Sequence, residues 1–159
     1  MKINIICVGK IKENFYKEAL AEYAKRLSKY CDLKIIEVAD EKTPENISDH
    51  QADLIMEKEG KRILDKIPEG SYICSLAIEG KKLDSVDFAG KISGLMTSGQ
   101  GNISFIIGGS LGLCKEIKSK SDMMLSFSDM TFPHQLMRVI LTEQIYRSFR
   151  IINNEPYHK

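Results

Sequence analysis

The run Ile103-Ser104-Phe105-Ile106-Ile107-Gly108-Gly109-Ser110-Leu111-Gly112 decides how this chain folds. Its first half reads as an apolar, buried strand, and glycines follow at once. At the carboxyl edge of an open α/β sheet, such a turn lets a ligand approach backbone amides without interference from Cβ atoms. Further along, Ser126-Phe127-Ser128-Asp129-Met130-Thr131-Phe132 gathers hydroxyls, a carboxylate and two aromatic rings before Pro133-His134. One glycine-rich turn can serve merely to reverse the chain. Two such loops close together predict a site for a ligand with both polar and flat apolar parts.

Working outward, short apolar runs alternate with helical patterns. Candidate strands are Ile3–Val8, Leu33–Val38, Tyr72–Ile78, Ile103–Ile107 and Met123–Phe127. Between the first two, Tyr16, Leu20, Tyr23, Leu27 and Tyr30 recur at steps of three and four, one stripe facing a core. Ser48 and Gln51 have capping-box spacing and open a helix that runs to about Lys66, ahead of Pro68 and Gly70. Asp84 can cap a helix carrying Phe88, Ile92 and Leu95. A shorter helix spans about Gly112 to Lys120, and the last starts at Pro133, whose fixed φ suits a first turn. Strict alternation predicts an α/β fold, a mainly parallel sheet of five to six strands with helices on both faces. No repeat, low-complexity tract or long linker divides the chain, so residues 1–159 are expected to form one domain.

A chain of this length buries about two-thirds of its extended surface without metal or disulfides. Cys7, Cys31, Cys74 and Cys114 are scattered, form no C-x-x-C pair, and read as reduced, mostly buried thiols of a cytoplasmic protein. No apolar run reaches membrane-span length, and Met1-Lys2-Ile3-Asn4 begins a strand rather than a signal peptide, so a soluble, unprocessed protein with no membrane partner is expected. The formal net charge of +1 gives no global field for nucleic acid. Basic residues still gather around the first helix (Lys10, Lys12, Lys17, Lys25, Arg26, Lys29) and along the last segment (Arg138, Arg147, Arg150, Lys159), a pattern that solvated helix surfaces also show. In the last helix Met137, Leu141, Ile145, Phe149 and Ile152 form a long apolar stripe, widened by Leu136, Val139 and Ile140. Deeper core and a subunit interface both account for that width.

Several common sites are absent. The glycine turn lacks the Lys-Ser/Thr of a P-loop, and its G-G-x-x-G spacing is not the dinucleotide G-x-G-x-x-G. No H-E-x-x-H or C-x-x-C pattern suggests a metal, and no G-x-S-x-G elbow presents a nucleophile. Four segments in order, Ile106–Gly112, Leu125–His134, Leu141–Phe149 and the terminus Pro156-Tyr157-His158-Lys159, resemble the RlmH-type methyltransferases. These are small SPOUT-superfamily enzymes that methylate N3 of a pseudouridine in large-subunit ribosomal RNA. The resemblance spans essentially the whole chain, including Met1–Lys10. It implies a homodimer with a trefoil knot near the carboxyl end, which periodicity does not show, and threaded loops that clasp S-adenosylmethionine. By position in the matching motifs, Leu76, Gly108, Gly109, Phe127, Ser128, Asp129, Met130, Thr131 and Phe132 would contact the cofactor. Tyr157, His158 and Lys159 would reach ribosomal RNA within the ribosome together with Arg138 and Arg147.

The residue chemistry agrees with that implication. Loop amides and carbonyls can read an adenine edge, Leu76 and Met130 can pack its faces, and Asp129 can attract a sulfonium or amino group. Histidine is the side-chain type suited to proton transfer near neutrality, which makes His134 and His158 candidate bases for an imide proton, with a phosphate oxygen or solvent as alternatives. Plainer readings stand beside these: His134 as a helix-start residue, Asp129 as a cap, Glu143 and Arg147 as a helix ion pair, and Tyr157–Lys159 as a frayed tail that adds little to stability. Gly108 is expected to be side-chain-free because a ligand fills the space. A non-catalytic ribosome-associated binding module of the same fold, or an α/β enzyme acting on a small nucleotide, are the other functions the residues allow.

Overall fold

The computed structural model describes all of residues 1–159. Strands β1 (Lys2–Val8), β2 (Asp32–Val38), β3 (Tyr72–Lys82), β4 (Asn102–Ile107) and β5 (Met123–Ser126) form one sheet in the order β2-β1-β4-β3-β5, with every neighbouring pair parallel. Helices α1 (Asn14–Leu27), α2 (Asp49–Leu64), α3 (Ser85–Thr97), α4 (Lys115–Lys120) and α5 (His134–Ile152) connect and follow them. Helix α5 packs on α1 and α3, and α2 packs on α4. The two-residue period of a strand sorts the core accordingly. Ile3, Ile5 and Cys7 of β1 meet Leu27, Phe88 and Ile145 on one face, whereas Ile6 and Val8 meet Ile63 and Ile117 on the other. Cover on both faces is the physical reason β1 and β4 are nearly continuous apolar runs.

The local signals act as expected at two helix starts. The Ser48 hydroxyl accepts from the Gln51 amide at 3.2 Å, and the Gln51 side chain accepts from the Ser48 amide at 2.9 Å. Asp84 accepts from the Asp87 amide at 2.8 Å. All four cysteines are buried and free. Burial pushes the thiols of Cys7 and Cys31 up to about 11 and that of Cys74 up to about 12, which keeps them protonated and inert. No helix is long and apolar enough to cross a membrane.

The differences from expectation lie near the carboxyl edge. Strand β3 does not stop at Ile78 but runs to Lys82, because it re-pairs with the edge strand after a register break: Leu76 and Lys81 both sit opposite Leu125. Gly80 makes that second approach possible, since a Cβ there would lie 2.7 Å from the Leu125 carbonyl carbon. Helix α4 starts at Lys115 rather than Gly112, whose φ of +90° ends a turn instead of opening a helix. Pro133 stands at the N-cap position, one residue ahead of α5.

Arg138 is the largest correction. It is 0% exposed, so it does not offer its cation to RNA. Its Nη1 donates to Glu37 Oε1 at 2.9 Å, and its Nη2 donates to the carbonyls of Val8 and Gly9 at 2.8 and 2.9 Å. The guanidinium therefore ties α5 to the carboxyl ends of β1 and β2, satisfying carbonyls that the sheet leaves unpaired.

Candidate active site

A cleft of about 370 Å³ opens at the carboxyl edge of the sheet between Gly108–Gly112 and Ser126–Phe132. Of the residues singled out in the sequence, Leu76, Gly108, Gly109, Phe127, Ser128, Met130, Thr131, Phe132 and His134 all line it. Asp129 does not. Its carboxylate is 80% exposed and pairs with Lys82 outside the cleft lining. Ala77, Ile78, Glu79, Lys118 and Met137 also line the cleft and were not foreseen. The first three belong to the segment of β3 that lies across the register break from β5, a feature set by strand pairing that no local motif announces.

The glycine turn has its own internal logic. The Gly112 amide donates to the Gly109 carbonyl at 3.1 Å, closing a four-residue turn. A Cβ on Gly108 would sit 2.7 Å from the Gly112 carbonyl oxygen. Gly108 is therefore glycine because the turn folds back on it, a steric requirement within the chain that stands beside the space expected for a ligand. The second loop is shaped similarly by its serines. The Ser126 hydroxyl donates to the Ser128 carbonyl at 3.1 Å, and the Ser128 hydroxyl accepts from the Met130 amide at 3.0 Å. Met130 is held out at the rim, 73% exposed.

His134 lies where the cleft meets the ends of β1 and β2. Its Nε2 would be 3.7 Å from a Cβ at Gly9, and the Asp40 carboxyl carbon 3.8 Å from the same point. Burial first, and the neighbouring Arg138 cation second, hold its pKa below the ordinary histidine value, with Asp40 opposing. A neutral imidazole at physiological pH is free to accept a proton.

The terminal residues are not frayed. After α5, Asn154 takes a φ of +52°, the Glu155 amide donates to the Arg150 carbonyl at 2.8 Å and the Asn154 amide donates to the Ile151 carbonyl at 3.0 Å, a Schellman arrangement that turns the chain back. Arg150 and the Tyr30 hydroxyl bind Glu155. The Tyr157 ring packs edge-on against Tyr146 at 5.0 Å, its hydroxyl donates to Glu143 at 3.0 Å, and Arg147 lies 4.7 Å above it. Arg147 also grips Glu143 and comes within 3.3 Å of His158 Nδ1. Arg147, Tyr157 and His158 are thus brought together with Glu143, a residue the motif reading treated only as an ion-pair partner. None of the four lines the cleft.

A parallel α/β sheet with a glycine-turn cleft at its carboxyl edge defines a class, and comparison with known proteins gives it a name. The family model described as "Predicted SPOUT methyltransferase" matches residues 1–158, and the chain belongs to that family. Within it, the chain is 56% identical to ribosomal RNA large subunit methyltransferase H of Clostridioides difficile and 54% identical to that of Clostridium beijerinckii, in both cases over 100% of each protein. Among solved structures it resembles a probable methylase family protein from Haemophilus influenzae, with a TM-score of 0.55, 13% identity, and coverage of 99% of this chain and 70% of that one. It also resembles a probable methyltransferase from Bordetella pertussis, with a TM-score of 0.54, 10% identity, and coverage of 92% and 95%. At such identities these structures speak to the fold alone.

Proposed function

We propose that this chain transfers a methyl group from S-adenosylmethionine to N3 of a pseudouridine in large-subunit ribosomal RNA, acting in the cytoplasm on the assembled particle as a homodimer. The observation that carries the reading is the convergence of the two loops on one cleft. Its volume, about 370 Å³, falls in the range of small-molecule sites, commonly about 300–1,000 Å³. The lining suits the cofactor: Leu76, Ile78 and Phe132 offer apolar surface for a flat ring, and the glycine turn offers backbone polar groups. When bound, the cofactor supplies an electrophilic methyl group. This chain's residues then hold the adenosine, keep water out and orient the acceptor, so positioning carries much of the rate. The N3 proton leaves to a base, for which neutral His134 at the cleft is the candidate the geometry favours over His158. The names of the full-length relatives support ribosomal RNA as substrate.

Two copies fit the layout better than one. Glu143 and Arg147 lie nine and thirteen residues beyond His134 on α5, so at 1.5 Å per residue the tail cluster is roughly 14 to 20 Å along the axis from the cleft. If the tail acts at the reacting base, a second subunit has to bring it there, and the half-buried Leu136, Val139 and Ile140 of α5 supply apolar surface for that contact. The trefoil knot implied by the family resemblance belongs to the same reading. A net charge of +1 is too small to hold free RNA by phosphate attraction alone, which favours recognition of a shaped particle.

The test is calorimetry with S-adenosylmethionine, followed by methyl incorporation into intact ribosomes, isolated subunits and protein-free RNA, with mass-spectrometric mapping of the product. Binding and particle-dependent methylation are expected. Absence of cofactor binding by folded protein overturns the reading, and equal activity on protein-free RNA overturns its particle specificity.

A further inference from the structure

Glu59 is 4% exposed, on the side of α2 that faces the sheet. Its neighbour Gly60 lets α2 sit so close to Cys114 that a Cβ there would overlap the sulfur. Its Oε1 accepts from the Glu41 amide at 3.0 Å. Arg62, one turn away, pairs with Glu41 and donates to the Ala39 carbonyl at 2.9 Å, so the nearest cation is engaged elsewhere. On the far side of the carboxylate stands the glycine turn. A Cβ on Gly109 would lie 2.9 and 3.4 Å from the two Glu59 oxygens and 3.2 Å from Val8 Cγ1. Gly109 is thus clamped between Glu59 and β1, and it is the residue from which the turn to Gly112 springs. The Thr43 and Ser110 hydroxyls, 3.4 Å apart, join the same two loops nearby.

Keeping a carboxylate out of water without a cation in contact is unfavourable. Burial, with Asp40 and Glu41 adding to it, raises the pKa of Glu59 against the pull of the Glu41 amide and of Arg62. An apolar residue would fill this core position at lower cost, as Ile63 does one turn later. Glu59 does not line the cleft. What it does touch is the wall.

We propose that Glu59 is a positioning residue for the cofactor cleft: seated between the Glu41 amide and Gly109, it sets the height of the Gly109–Gly112 turn and hence the width of the opening facing Ser126–Phe132. This inference rests on the reading that the cleft binds S-adenosylmethionine. A loop displaced by about 1 Å can cost up to about a hundredfold, and because the turn binds cofactor rather than the RNA, the loss is expected in one parameter.

The experiment measures methyl incorporation into ribosomes at varied S-adenosylmethionine, with calorimetric Kd, for wild type, Glu59→Gln, Glu59→Ala and Gly109→Ala. Glu59→Ala should raise KM and Kd for S-adenosylmethionine about tenfold or more, with kcat at saturation within about twofold and the KM for ribosomes unmoved. Glu59→Gln keeps the acceptor oxygen and the volume, and should stay within about threefold of wild type. If Glu59→Ala does not fold, Glu59→Asp withdraws the oxygens by one methylene and serves instead. Gly109→Ala should also lose affinity, and combined with Glu59→Asp it should lose less than the two effects summed. A fall in kcat at unchanged KM, equal losses in the Ala and Gln variants, no change in any variant, or strict additivity would each overturn the proposal. Failure of the wild type to bind S-adenosylmethionine would instead remove the cofactor reading, and this inference with it.

Discussion

Replacing Arg138 by methionine separates a structural cation from a substrate-binding one. The guanidinium makes three hydrogen bonds, one to the Glu37 carboxylate and two to the Val8 and Gly9 carbonyls. Bonds to charged groups contribute about 1.5–3 kcal/mol each, but Arg138 Nε is buried without a partner and Glu37 is 34% exposed, so part of the sum is forfeited. Breaking a buried pair from one side costs about 3–5 kcal/mol, and we expect a loss of that size. For a chain of this length 1 kcal/mol moves Tm by about 2–4 °C, which puts the fall at roughly 6–20 °C. Arg138→Lys keeps the charge but cannot reach all three oxygens from one ammonium, and should lose about half as much. Because the chain has no tryptophan, urea unfolding followed by far-ultraviolet circular dichroism is the suitable assay, at fixed protein concentration so that any dimerisation cancels. Stability of Arg138→Met within about 1 kcal/mol of wild type, together with lost methylation, would refute the structural role and restore Arg138 to the RNA surface.

Two further outcomes follow from the terminus and the cleft. Deleting Tyr157–Lys159 should lower stability by about 1–3 kcal/mol, because the Tyr157 ring packs on Tyr146, whereas Tyr157→Phe should cost about 1 kcal/mol; an unchanged Tm in the truncated chain would show the tail is not docked. The depressed pKa of His134 means the folded state takes up fewer protons than the unfolded chain below its ordinary value of about 6.5, so this residue's contribution is present above that pH and lost as pH falls. The stability advantage of wild type over His134→Gln should therefore shrink between pH 7.5 and pH 5, measured by thermal unfolding, and a pH-independent difference would contradict the assignment.

What the sequence made legible follows from the range of the interactions involved. Ser48, Asp84 and the alternating apolar runs act within a few residues of themselves, and they define helix starts and a two-faced parallel sheet. Gly108, Ser126–Ser128 and His134 could be placed at one site because a parallel sheet brings the ends of its strands to one edge whatever lies between them. Arg138 could not be read correctly, since arginine on an amphipathic helix looks the same whether it faces water or two orphaned carbonyls 130 and 129 positions away in sequence. Asp129 stands outside the cleft lining for a related reason: its carboxylate pairs with Lys82, which lies beyond the register break of β3. The tail shows the opposite case: Asn154 in the left-handed region and the Schellman bonds are local, yet a helical pattern carried through Asn154 passes over the stop that Pro156, two residues on, also marks. Its consequence, that Tyr157 is folded back onto α5, depends on a contact eleven residues long and had to be seen. Long-range polar contacts thus carry most of what pattern reading missed, and Glu59 is the sharpest instance, a charge at a core position of α2 whose reason appears only when Gly109 is found against it.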